Sequence, residues 1–319
     1  MANLLNVPDC GGVDATGNTG IPLCDAIANI PNGIIGLDSG VEFSGADLAS
    51  KAAFVAKLKT LTRNPRGSRA YPIWNLINFE DQTVAATKIA VGNLSTAQIT
   101  GVDEVPAFSF QHRIGELFHK QLMKLQSQNL KWLIVDDKYL VVGTETSAGA
   151  LTGYTATEFK ALSRKWGTPS SASNYPFSLQ FANVTEYKEN AAIFQADATI
   201  KSVTGNNDVT LTLDSQATNV ANIKAISTGG KNLGNLYATE LADINAWAAA
   251  NVQTGAPFTI TSVTYNSTTG NFVVTTDSTA FTALTAGDKV SIDLVDAAAL
   301  KALGVDGFES TGAITITKA

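Results

Sequence analysis

His112, Glu116 and His119 are the residues whose types most invite chemistry, since two imidazoles and a carboxylate within eight positions are what a metal ion selects. The chain has no other histidine. Their spacing decides the matter on the expectation that a helix covers residues 112–128. Positions 112 and 119 then stand two turns apart, about 10 Å along the axis, too far for both rings to bind one ion. His112 and Glu116, four apart, could share an ion only weakly, and an ordinary surface pair accounts for them better.

The other candidates fare no better. Asp14-x-Thr16-x-Asn18-x-Gly20 spaces oxygen side chains as a calcium loop does, but it lacks the carboxylate density and closing Glu of such loops. Those residue types are also the commonest turn formers. Cys10 and Cys24 have no neighbouring His to complete a zinc site, and two reduced thiols are the expected state in a cytosol. Asp136 and Asp137 fall in a hairpin connection, where solvation explains a carboxylate pair. There is no G-x-S-x-G nucleophile turn, and neither Gly11-Gly12 nor Gly229-Gly230-Lys231 has the spacing of a phosphate-binding loop. No catalytic, cofactor-binding or metal-binding residues are assigned, no cofactor is expected, and the chain is not read as an enzyme.

The elements around these residues organise the chain. Phe108 and Phe110 alternate with Ser109 and Gln111, which is strand periodicity. From His112 the apolar positions Ile114, Leu117, Phe118, Leu122 and Leu125 shift to a helical stripe, with Glu116 four residues before Lys120 and Asn129 as the C-cap. The runs 132–135 and 139–142 flank the turn at residues 136–138 as a hairpin. One amphipathic helix laid on neighbouring strands implies a curved sheet or barrel with a single main helix.

Upstream, residues 1–43 are rich in Gly, Asn, Asp and Pro and are expected to form an extended arm. Ser44-x-x-Asp47 reads as a capping box opening a helix to about residue 61, residues 73–79 read as a strand, and residues 80–104 as a polar loop. Downstream, Thr155-x-x-Glu158 predicts a short helix and the Phe177, Leu179, Phe181 alternation a strand. Residues 191–200 are its expected antiparallel partner, joined by a turn at residues 186–190. Among the aromatics core packing is the default, whereas Trp166 and Trp247, expected on or beside short helices, could belong to an interface.

Composition changes near Val203. Residues 204–319 hold ten acids and five bases, residues 1–203 eighteen and seventeen, so most of the net charge of −6 lies in the tail. Strands are expected there at 209–213, 258–265, 271–276, 289–294 and 313–317, with helices at 240–249 and 296–303, the second closed by Gly304. Short strands at regular spacing suggest an immunoglobulin-like sandwich. The loose Arg63, Arg66, Arg69 group is the densest run of bases, too little for a general nucleic-acid surface. The N-terminus lacks a basic-then-apolar leader and no apolar run is of membrane-spanning length, so synthesis and assembly in a cytoplasm are expected.

The segments NFEDQT (78–83), PAFSFQHRIGELFHKQL (106–122), VDDK (135–138) and GFEST (307–311) resemble virion proteins of tailed phages that infect Bacteroidota. The element order, a β unit with one prominent helix followed by an appended sandwich, is similar to phage tail tube proteins and the type VI secretion tube. The resemblance implies a mainly β (α+β) tail-tube-like sandwich or barrel over residues 44–203, and an immunoglobulin-like outer domain over 204–319. It implies a homo-oligomer of stacked, commonly hexameric, rings, with other virion proteins as partners and DNA in transient, non-specific passage. The 1–43 arm and the 80–104 loop are additions to that plan that could bridge rings. Two further readings remain, a major capsid or capsid-decorating protein and a cell-surface binding module.

Overall fold

The computed structural model describes residues 4–5, 28–85, 88–90, 97–99 and 105–319. The chain divides into two compact units, Met1–Thr62 with Arg66–Thr204, and Arg63–Pro65 with Gly205–Ala319. Both are mainly β.

The first unit runs β1 (Leu4–Leu5), β2 (Pro31–Asp38), α1 (Lys51–Leu61), β3 (Ala70–Ile73), β4 (Leu76–Asp81), β5 (Lys88–Ala90), β6 (Ala97–Ile99) and β7 (Ala107–His112). There follow α2 (Glu116–Lys124), β8 (Leu130–Asp136), β9 (Leu140–Glu145), β10 (Leu151–Thr152), β11 (Tyr154–Ala161), β12 (Tyr175–Phe181), α3 (Val184–Lys188) and β13 (Ala191–Gln195). The main sheet has the order β1-β13-β9-β8-β11-β12-β7-β4, with β2 also on β8, β3 on β2 and β10 on β9, while β5 and β6 pair with each other.

Continuous apolar runs in β2 and β8 are what a strand buried on both faces needs. Ile35 and Leu37 of β2 and Leu133 and Val135 of β8 join Phe54, Val55, Leu58 and Leu61 of α1 in one core. Their alternates Ile34, Leu130, Trp132 and Ile134 enter a second core with Phe108, Phe110, Phe177, Leu179 and Leu122 of α2. Gly153 lets the chain approach β8 closely, because a Cβ there would lie 2.4 Å from the backbone nitrogen of Trp132.

Several expectations need correction. Among the described residues of the unit α1 has eleven residues and α2 nine, so the helix after β7 is not a single main helix. Of the arm expected over 1–43, residues 31–38 are instead the strand β2, with Ile34, Ile35 and Leu37 fully buried, while residues 1–3 and 6–27 lie outside the described residues. Ser44 and Asp47 do bond reciprocally, but they close a turn; Ser50 accepts from the Ala53 N–H and starts α1. The 73–79 strand breaks at Asn75, whose φ of 60° follows Trp74 as its indole turns inward to the Val203 carbonyl at 2.7 Å. The 80–104 loop contains the β5/β6 hairpin. The 155–158 helix is the strand β11, because Thr155 gives its N–H and hydroxyl to Glu186, at 2.8 and 3.0 Å, instead of forming a box with Glu158. The 186–190 turn is largely the short helix α3, and β13 pairs with β9, not with β12.

The second unit runs β14 (Asn207–Ala217), β15 (Val220–Ser227), β16 (Trp247–Asn251), β17 (Ile260–Asn266), β18 (Asn271–Thr276), α4 (Ser278–Thr282), β19 (Lys289–Leu294), α5 (Ala297–Ala302), β20 (Phe308–Ser310) and β21 (Ile314–Thr317). Sheets ordered β17-β18-β15-β14-β20 and β16-β19-β21 share one core, with Ile223, Phe272 and Val274 from the first and Trp247, Ile292 and Ile316 from the second. β15 was not anticipated, although its burial alternates strictly. The helix expected at 240–249 is one turn at Ile244–Ala246, capped by Asp243, after which Trp247 begins a strand and donates to the Leu241 carbonyl at 2.8 Å. Trp247 is thus core and not interface. Within this unit Arg63 binds Asp306 at 2.6 Å and holds that carboxyl below the usual range.

Candidate functional site

His112 continues the alternation of Phe108 and Phe110 and is the last residue of β7, not the first of a helix. Across the ladder it faces Tyr175, as Phe110 faces Phe177, and both pairs stack, with interplanar angles of 16° and 19°. The chain turns through Arg113–Gly115, where Gly115 takes φ 131°, and α2 starts at Glu116. α2 stops at Lys124 and a tighter turn at Leu125–Ser127 follows, so Asn129 is not its cap. The expected 10 Å separation of the histidines therefore fails. His112 Nε2 and His119 Nδ1 are 3.2 Å apart and both side chains are buried.

The partners fix the protons. His119 Nε2 lies 2.8 Å from the Leu162 carbonyl, which only accepts, so Nε2 carries hydrogen and Nδ1 accepts. His112 must then donate from Nε2, which leaves its Nδ1 to accept the Ile114 N–H at 3.3 Å. His112 is neutral and all four nitrogens are engaged. An added proton would have to sit on His112 Nδ1, against the Ile114 N–H, and the pKa of His112 is pushed down to about 4, first by burial and then by His119. The pair thus ties β7 to α2 and to the Leu162 carbonyl. Among the described residues no group of three His, Cys, Asp or Glu is arranged to hold a metal.

Glu116 turns away from Lys120. Its Oε2 accepts the Tyr175 hydroxyl at 2.9 Å and meets Arg164 Nη1 at 3.4 Å. The Arg164 guanidinium in turn lies 3.7 Å from the centre of the Trp166 ring. Trp166 sits on a hairpin extension of β11 and β12, where Lys165 and Asn174 exchange backbone bonds of 2.9 and 3.1 Å, and Thr168 and Ser171 bonds of 2.7 and 3.2 Å. It is not on a helix, and it is 73 % exposed. Tyr175, Arg164 and the Leu162 carbonyl escaped the sequence reading because they lie about fifty residues from the histidines. The parity of 108, 110 and 112 could have placed His112 on the strand.

A cleft of about 640 Å³ opens where β8 and β11 part, between residues 126–130 and 156–161. The two strands pair only at Tyr154–Trp132 and Thr155–Lys131, after which β11 continues with β12 alone. Gln126 Oε1 closes one end by accepting the Ala161 N–H at 2.6 Å. Its rim carries an exposed Glu158 beside Lys160, 3.9 Å apart.

The remaining candidates resolve as follows. Asp136 is buried, not solvated: it accepts from Asn29, Lys138 and Leu140 at 2.9, 2.9 and 2.7 Å and shapes the hairpin. Asp137 binds the Asn29 amide at 2.9 Å. Gly229-Gly230-Lys231 is a turn, with Gly230 at φ 77°. Arg63 and Arg69 are buried, so the arginine group is no patch. Cys10, Cys24, Gly11, Gly12 and the Asp14–Gly20 loop lie outside the described residues. No helix among the described residues is long and apolar enough to cross a membrane. Comparison with protein-family models, with curated proteins and with solved structures finds no match to this chain.

Proposed function

We propose that this chain is a structural subunit of a bacteriophage virion, a tail tube protein that assembles into stacked rings. The observation that carries the reading is where the first unit leaves large apolar side chains in solvent. Ile77 on β4, the last strand of the sheet, is 45 % exposed, Val84 just beyond it 64 %, and Trp166 on its hairpin 73 %. Edge strands and protruding aromatics of this kind mark surfaces that other chains cover.

The first unit supplies the tube wall, and the near balance of acids and bases in residues 1–203 suits a conduit that must let DNA slide. The second unit is an added immunoglobulin-like module, supported by its two sheets over one core. Negative-stain microscopy of the purified full chain tests the reading. Rings or tubes support it, closed shells would move the chain to the capsid, and dispersed monomers at high concentration would reject a self-assembling subunit.

A further inference from the structure

We propose that the hairpin at residues 162–174 docks into a second copy of this chain, seating Trp166 against the acidic, apolar segment at residues 236–245. The proposal rests on the subunit reading above and names the surfaces that it would use.

Trp166 is the most exposed of the large apolar side chains among the described residues, at 73 %, yet one face of its ring is covered by Arg164, itself held by a chain of contacts. Arg164 stacks on it, Glu116 holds Arg164, Tyr175 holds Glu116, and His119 ties down the Leu162 carbonyl at the base of the hairpin. An aromatic ring positioned in advance loses little freedom on association, and Trp with Arg is the commonest chemistry of interface anchors. Such a scaffold has no use in holding a ring in water; it suits a ring that enters a partner.

Charge chooses the partner. Residues 113–124 and 162–175 carry five cations and one carboxylate, in a chain whose net charge is −6. The complement lies in the same chain, since residues 204–319 hold ten acids against five bases. Within them, residues 236–245 carry Glu240 and Asp243 and no base, and Leu236 and Ile244 are 51 and 44 % exposed. Trp166 meets apolar side chains there while Arg164 and Lys165 meet carboxylates. The two surfaces differ, so the contact is head-to-tail, and repetition gives a ring or an open filament.

Sedimentation equilibrium of the full chain tests this at low and high salt. Trp166→Ser, Lys165→Glu and Glu240→Lys are each expected to weaken self-association by about tenfold or more. The double variant Lys165→Glu/Glu240→Lys should recover most of the loss, because the opposed charges are restored in exchanged positions. Lys165 and Trp166 are exposed, and circular dichroism confirms that each variant keeps the fold. Variants that associate as the wild type does would overturn the docking surface and leave the subunit reading standing. A wild type that stays monomeric at every concentration would overturn both. Loss of binding to a mixed-sequence single-stranded DNA in Trp166→Ser, with association unchanged, would reassign the hairpin to nucleic acid.

Discussion

The two units share local caps and some longer ties but differ in the side chains that they bury to fix their loops. The first buries ionisable groups to do it: Asp38 takes the Gly67 and Arg69 N–H groups at 2.8 and 2.7 Å, Asp136 takes three more, and the histidines tie β7 to α2 and to Leu162. Apart from Arg63, the second unit buries only neutral polar side chains, Ser227, Asn271 and Thr276. Its turns are closed by local caps from Asn232, Asp243, Asn266, Asp277 and Asp296 to N–H groups two or three residues on. Long-range side-chain ties let a loop hold a shape that its own sequence does not favour. Local caps hold only the shapes that their sequence already prefers.

The largest effects should show that the units stand on separate cores. Phe110→Ala and Phe272→Ala each empty a fully buried site, which costs about 3–5 kcal/mol. In calorimetry the first should lower the transition of the first unit alone, the second that of the second. One shared transition moved equally by both would erase the distinction. Next comes Asp136→Ala, which leaves three backbone N–H groups without their acceptor and is expected to cost the first unit about 3 kcal/mol by urea unfolding. A cost no greater than that of an ordinary surface substitution would mean that the hairpin does not depend on its carboxylate.

The same contrast explains what could be read in advance. In the second unit Asp296 caps α5 and Gly304 follows it at φ 95°, as their residue types indicate, and the Asn266–Gly270 turn joins β17 to β18. Each signal sits beside the element it controls. In the first unit Thr155 and Glu158 have the spacing of a capping box, but the carboxylate that Thr155 binds comes from Glu186, and pairing with Lys131 of β8 and with Phe181 and Gln180 of β12 makes β11 a strand. Local propensity lost to tertiary pairing there. For the histidines, the helical stripe expected at 114–125 holds only in part: Phe118, Leu122 and Leu125 pack on the core, Ile114 and Leu117 are exposed, and α2 starts only at Glu116, since the period-two parity of Phe108, Phe110 and His112 runs to the end of β7. The hydrogen-bonded pair and its Tyr175–Glu116–Arg164 surround depend on which strands become neighbours, which periodicity within one segment does not contain.

Acid should separate the units in a further way. The unfolded His112 takes up a proton near its ordinary value of 6.5, whereas the folded one does so only near 4. Between those values the unfolded chain binds more protons, so stability is complete above about pH 6.5 and is lost progressively as pH falls toward 4. Glu116 and Arg164 are the charged groups joined to the site, through Tyr175, and the second unit has no histidine. There the carboxyl of Asp306, held down by Arg63, contributes stability that goes only below the ordinary Asp value of 3.8. Urea midpoints taken from pH 7 to 4.5 should therefore fall for the first unit and stay level for the second. The NMR spectrum has just two imidazoles to follow, and a His112 titrating near 6.5 would refute its burial as a neutral ring.

The smallest effect marks where the distinction ends. Glu158 and Lys160, both more than half exposed, stand 3.9 Å apart on the rim of the cleft beside β11. Water screens such a pair and two mobile side chains must be held to form it, so Glu158→Ala should change stability by no more than about 0.5 kcal/mol. Ion pairs at the surface of the first unit are then no stronger than any other protein's. What sets that unit apart is confined to its buried acceptors and imidazoles, where no water can replace a lost partner. A Glu158→Ala variant that unfolds as readily as Asp136→Ala would show instead that the rim pair helps hold β11 against β12, and the cleft would then be a strained joint in the sheet.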